Sequence, residues 1–146
     1  MTRYRHVLAA VDFSEATDPV AGQALDLARR YEAELTFLHV LEYVPPLDLG
    51  YEPVVAPDWL PDEQELLAAA RARLEELAGR LGAREAHLRA EWGHPRSDVV
   101  RLAEEAGADL IVLGSHGRRG LTRLLGSTAD AVLHSARCDV LAVRIG

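Results

Sequence analysis

Residues 114–128 read GSHGRRGLTRLLGST, and the residue types and their spacing suit the capture of an anion. Gly114, Gly117, Gly120 and Gly126 let backbone N–H groups approach a ligand closely and adopt positive φ. Ser127 and Thr128 supply hydroxyls where a helix is expected to begin, and a helix N-terminus favours negative charge. Arg118, Arg119 and Arg123 add donors that match phosphate geometry, with no carboxylate between Asp109 and Asp130 to cancel them. Phosphate is the natural occupant of such a stretch. By composition alone a second reading stands beside it, a glycine-rich turn with solvated arginines. His116, between Gly114 and Gly117, would meet a phosphate by its ring or by its backbone. Asp12, in VDFSE, is the other residue able to do chemistry; its alternative role is to cap the helix that follows.

These residues need a scaffold, and the chain alternates apolar runs with helical patterns. HVLAAVDF (6–13) is a continuous, valine-containing run of the kind found in strands buried on both faces. A helix follows, with Ser14 or Thr17 as its cap, Pro19 in its first turn, and Val20, Ala24, Leu27 and Tyr31 on one face. ELTFLHVL (34–41) reads as a second strand. Between Pro61 and Gly82, Leu67, Ala70, Leu74, Leu77 and Leu81 recur at helical spacing. AHLRAEW (86–92) alternates and reads as a half-exposed edge strand. The helix after Pro95 should end near Gly107 on a left-handed cap. DLIVLGS (109–115) is a fourth strand, Ser127 and Asp130 form a capping pattern for a last helix, and DVLAVRI (139–145) is a fifth strand.

The order β-α-β-α-β-α-β-α-β predicts an α/β fold, a doubly wound five-stranded parallel sheet of order 3-2-1-4-5 with helices on both faces. Its ligand crevice should lie at the carboxyl ends of the strands, where the strand order reverses. Asp12 and residues 114–128 both fall at such ends. EYVPPLDLGYEPVVAPDWL (42–60) carries four prolines and neither period, so an irregular excursion is expected there. It would serve as a lid or partner contact, or simply as a surface loop anchored by Tyr43, Tyr51 and Trp59.

Composition narrows the function. A chain of 146 residues fits one domain, and a formal charge of −7 argues against broad attraction to nucleic acid or anionic membrane. No apolar stretch reaches the roughly 20 residues of a membrane span, and the start lacks a signal-peptide pattern, so the cytoplasm is the expected location. All 16 basic residues are arginine. The lack of lysine rules out a Walker A loop, a lysine Schiff base and a receiver-type phosphoacceptor site. The first turn, DFSEATDP, lacks the G-x-G-x-x-G of a dinucleotide site. Cys138 reads as a small buried side chain. His6 and His39 read as hydrogen-bonded core histidines, His87 and His134 lack ligand-like spacing, and His94 suits a turn or the crevice.

The G-x-x-G, spacer, G-S pattern running into a capped helix and a V-L-x-V-R strand resembles the nucleotide-binding signature of the universal stress protein family. The opening VLAAVDFSE and the HV at 39–40 match that family too, so the resemblance spans the chain. It implies ATP or a related adenine nucleotide as ligand and a homodimer formed through strand 140–145. Carried over by position, Asp12 would lie near the ribose or a phosphate-bound Mg2+, Val40 would meet adenine through its backbone, and Gly114, Gly117, Gly126, Ser127 and Thr128 would wrap the phosphates. The spacer between Gly117 and Gly126 has eight residues, one fewer than the family's usual signature. The expected role is a dimeric ATP-binding stress-response module without a catalytic residue. The alternatives are a slow ATPase or self-phosphorylating enzyme, and a nucleotide-free interaction module.

Overall fold

A computed structural model describes residues 3–42, 61–116 and 125–144. The described elements are β1 (His6–Ala10), α1 (Thr17–Tyr31), β2 (Glu34–Glu42), α2 (Glu63–Leu81), β3 (His87–Gly93), α3 (Pro95–Ala106), β4 (Leu110–Gly114), α4 (Ser127–Ser135) and β5 (Asp139–Val143). The five strands form one parallel sheet in the order β3-β2-β1-β4-β5.

Strand alternation explains why the central runs are apolar at every position. Val7 and Ala9 face one core with Leu35 and Phe37, against Val20, Ala24 and Ala28 of α1 and Leu74 and Leu77 of α2. Leu8 faces the other core with Leu38, Ile111 and Leu113, against Val99 and Leu102 of α3 and Ala129 and Val132 of α4. A strand between two helical layers has no wet face, and burying such side chains stabilises by about 1.5–3 kcal/mol each. β3 and β5 are the edges, and their residues are mostly half-buried.

Several local expectations change. β1 stops at Ala10: Val11 still donates to Leu38 O at 2.8 Å, but the chain then turns through Phe13, whose φ is 59°. The buried stripe of α1 is Val20, Ala21, Ala24, Leu25 and Ala28, while Leu27 and Tyr31 lie at its half-buried border. Neither Ser14 nor Thr17 is the N-cap of α1. Ala16 holds that position, Ser14 Oγ accepts from the Ala16 N–H at 3.1 Å, and Thr17 is already the first helical residue. The Ser127–Asp130 capping pattern also shifts, because Gly126 is the N-cap and Ser127 is the first residue of α4. The helix ends follow expectation, with Gly82 at φ 69° and Gly107 at φ 74° closing α2 and α3. β5 is described to Val143; Ile145 and the 43–60 segment lie outside the described residues.

Candidate functional site

In this sheet the connections leave β1 toward β2 on one side and reach β4 on the other, so the carboxyl ends of β1 and β4 diverge and leave a crevice. A cavity of about 570 Å³ occupies it, a size common for small-molecule sites. Asp12, Ala16 and Thr17 line it from the β1–α1 turn; Gly114 and His116 line it from the end of β4. Gly126, Ser127 and Thr128 come from the start of α4, and Leu38, Val40 and Leu113 supply apolar wall. Glu42, Leu66, Trp92 and Pro95 also line it.

The joint between β4 and α4 is made by backbone. Ser115 donates its N–H to Val143 O at 2.8 Å and accepts from the Gly126 N–H at 2.6 Å. This fixes the first residue of the α4 cap against the end of β4, so the N-terminus of α4 opens into the cavity. Gly114 is needed for a related reason. A Cβ there would stand 3.2 Å from Ala16 Cβ and 3.3 Å from His116 O, tighter than ordinary van der Waals contact. Two helices, α1 and α4, thus direct their N-termini toward one cavity, and each carries a partial positive charge there.

The turn after β1 is held by rings. Phe13 sits in the left-handed region, a conformation costly for a bulky residue by roughly 1–2 kcal/mol. Its ring centroid is 4.4 Å from that of His39, and the Arg73 guanidinium of α2 lies 4.1 Å from it. His39 Nδ1 in turn hydrogen-bonds Val11 O at 2.7 Å. Asp12, between Val11 and Phe13, accepts the Ser14 N–H on Oδ1 at 3.0 Å, a bond that closes the turn ahead of the Ala16 N-cap and does not cap α1, and Asp12 also lines the cavity.

Of the residues singled out by sequence, Asp12, Val40, Gly114, His116, Gly126, Ser127 and Thr128 line this one cavity. Gly117, Arg118, Arg119 and the further loop residues Gly120 and Arg123 lie outside the described residues. Thr17, His39, Glu42 and Trp92 also line it, and sequence reading had given none of them this place. Trp92 is legible in the sequence only as an edge-strand residue; pairing of β2 with β3 through Leu41 to Trp92 and Glu42 to Gly93 carries it to the cavity lining. His6 is a hydrogen-bonded core histidine far from the crevice, between Ala106 O at 2.9 Å and Thr36 Oγ1 at 2.7 Å. Cys138 is half-buried, and burial pushes its thiol pKa up, which opposes nucleophilic use.

Fold and cavity define a doubly wound α/β module with a crevice at its topological switch point. The family model described as the universal stress protein family matches residues 3–144, and the chain belongs to that family. Universal stress protein A homolog 2 of Coxiella burnetii is 36% identical over 146 residues, covering 99% of this chain and 98% of that protein. The solved structure of universal stress protein UspA from Lactobacillus plantarum superposes with a TM-score of 0.75 at 26% identity, each chain covered completely. A universal stress protein crystallised in complex with cAMP gives a TM-score of 0.70 at 26% identity, covering 99% of this chain and 100% of that one. Among the described residues no helix is long and apolar enough to cross a membrane.

Proposed function

We propose that this universal stress protein holds an adenine nucleotide, ATP in the first instance, in the crevice between β1 and β4. The observation that carries this reading is the convergence of two helix N-termini on one cavity, with Gly126, Ser127 and Thr128 at one and Asp12 beside the other. Two buried polar side-chain atoms of residues lining the cavity have no partner among the described residues, a need that a polar ligand would meet. The relative bound to cAMP supports an adenine nucleotide as the chemical class.

In this reading the α4 N-terminus and the glycine-rich residues 114–126, with Arg118 and Arg119, take the phosphates. The base lies toward Val40, whose backbone meets adenine. Asp12 meets the ribose or shares a phosphate-bound Mg2+, an ion commonly held by one or two carboxylates plus phosphate oxygens. The protein then acts as a cytoplasmic stress-response module that uses nucleotide as a signal, assembling as a homodimer through β5, without nucleic acid as partner.

Mass spectrometry of the denatured purified protein tests the ligand directly, with an adenine nucleotide as the expected companion. Calorimetry with ATP on folded Gly117→Val and Gly126→Val should show binding abolished, because a side chain occupies the place where backbone must approach phosphate. Unchanged affinity in both variants would mean that the phosphates are held elsewhere.

A further inference from the structure

Among the described residues, two buried side-chain polar atoms lack a hydrogen-bond partner: Oγ1 of Thr17 and Nε2 of His116. Both residues line the same cavity. A buried, unpaired polar group costs free energy, and folded proteins retain few of them without a reason.

Thr17 is only 5% exposed and opens α1, a helix of 15 residues. The N–H groups of Ala16 and Thr17 are already given to Ser14, to its Oγ at 3.1 Å and its carbonyl at 3.0 Å. Those two amides are therefore engaged, and the Thr17 hydroxyl is not. His116 Nδ1 stands 2.9 Å from Ser115 Oγ. In the tautomer in which the serine hydroxyl donates to Nδ1, Nε2 carries the ring proton and is a donor. Gly114 brings the two walls together, since a Cβ there would press on both Ala16 Cβ and His116 O. Two buried polar atoms that can each donate, without a partner among the described residues and at a helix N-terminus, match the oxygens of an anion.

We propose that the Thr17 hydroxyl, with His116 Nε2, donates to a phosphate oxygen of the bound nucleotide, so that the start of α1 is a second phosphate anchor beside that of α4. This rests on the nucleotide reading above and adds to it a residue that neither the glycine pattern nor the family resemblance had marked.

The test compares the full chain with Thr17→Val, which replaces the hydroxyl by a methyl of similar size, and Thr17→Ser, which keeps it. Calorimetry is run with ATP, AMP and adenosine, and thermal melting without ligand. Thr17→Val should bind ATP and AMP about tenfold more weakly, the effect of one hydrogen bond to a charged group. Thr17→Ser should bind like the unmutated protein, and adenosine should bind all three alike. Without ligand, Thr17→Val should melt at the same temperature or higher, because it removes an unpaired buried hydroxyl. Thr17→Ala repeats the comparison with a side chain that any helix start accommodates.

Unchanged ATP affinity in Thr17→Val and Thr17→Ala overturns the proposal. So does an equal loss for adenosine, and so does a lowered melting temperature in Thr17→Val, which would give the hydroxyl a structural role. If the unmutated protein binds none of the three ligands, the nucleotide reading itself falls. Binding by the unmutated protein with indifferent Thr17 variants removes only the Thr17 assignment.

Discussion

The Phe13 ring lies against that of His39, 4.4 Å between centroids and tilted by 42°, and this contact holds a bulky residue in left-handed backbone beside Asp12. Replacing Phe13 separates the two contributions. Phe13→Ala loses the stack and keeps the backbone cost, whereas Phe13→Gly loses the stack and relieves the backbone. Urea denaturation should therefore rank Phe13→Gly above Phe13→Ala by about 1 kcal/mol, the reverse of the usual glycine penalty. The opposite ranking would mean that the positive φ is not retained in solution. Arg73→Ala should cost roughly 0.5–1 kcal/mol, as expected of an exposed cation–π pair.

Gly114→Ala places a methyl 3.2 Å from Ala16 Cβ and 3.3 Å from the His116 carbonyl. The first turn of α1 has to yield by a few tenths of an ångström, and overpacking of this kind costs typically 1–3 kcal/mol. Stability should fall toward the lower end of that range and ATP affinity should fall with it. A variant as stable as the parent, binding ATP equally well, would show that the α1–β4 contact is looser than the structure has it.

Tyr4 donates its hydroxyl to Asp139 Oδ2 at 2.7 Å, which ties the start of the chain to β5. That hydrogen bond, aided by burial, pushes the phenol from 10.0 up to about 12. The folded-state pKa is raised, so the stabilisation is fully present below pH 10 and fades as the pH rises through about 12. Denaturation midpoints of the parent and Tyr4→Phe should differ at pH 8 and converge between pH 10 and 12. A gap that stays constant across this window would exclude the Tyr4–Asp139 bond as its origin.

β5 is an edge strand in which Val140 to Val143 are all apolar and half-buried, without a proline or charge to blunt pairing. A second copy related by a two-fold axis would pair with it antiparallel and close the assembly. Light scattering at micromolar concentration should give the mass of two chains. Leu141→Pro removes a ladder donor and should shift the protein to single chains or unfold it; a single-chain mass for the unmutated protein refutes the pairing.

Hydrolysis of ATP should be slow, far below the roughly 1–100 s⁻¹ of kinases. Asp12 and His116 are the candidate bases by the cavity, and each already makes a local hydrogen bond, to the Ser14 N–H and to Ser115 Oγ. Phosphate release at kinase-like speed, lost in Asp12→Ala, would make the protein an enzyme.

The sheet was legible because β1, β2 and β4 are buried on both faces and so read as unbroken apolar runs. Gly82 and Gly107 marked helix ends because the left-handed cap is a local requirement. The starts of α1 and α4 were misread by one residue or more, for a tertiary reason in the case of α4: the tie from Gly126 to Ser115 sets where that helix begins, and local capping chemistry does not. The glycines and Asp12 announced a crevice by type and position. Thr17 could not, since an alanine-threonine pair at a helix start is ordinary; only its burial against the cavity wall leaves its hydroxyl without a partner.

The backbone of Ser115 makes two ties at once. Through its N–H it holds the outer strand at Val143, and through its carbonyl it holds the cap of α4 at Gly126, so the two peptide units flanking one α-carbon join the margin of the sheet to the cavity. No side chain takes part in that joint. Alanine scanning would leave this backbone joint whole, while a replacement that deletes the N–H, Ser115→Pro, or an ester in place of the 114–115 amide, would break its tie to Val143. The connection between the sheet margin and the cavity is thus carried by backbone that side-chain truncation does not remove.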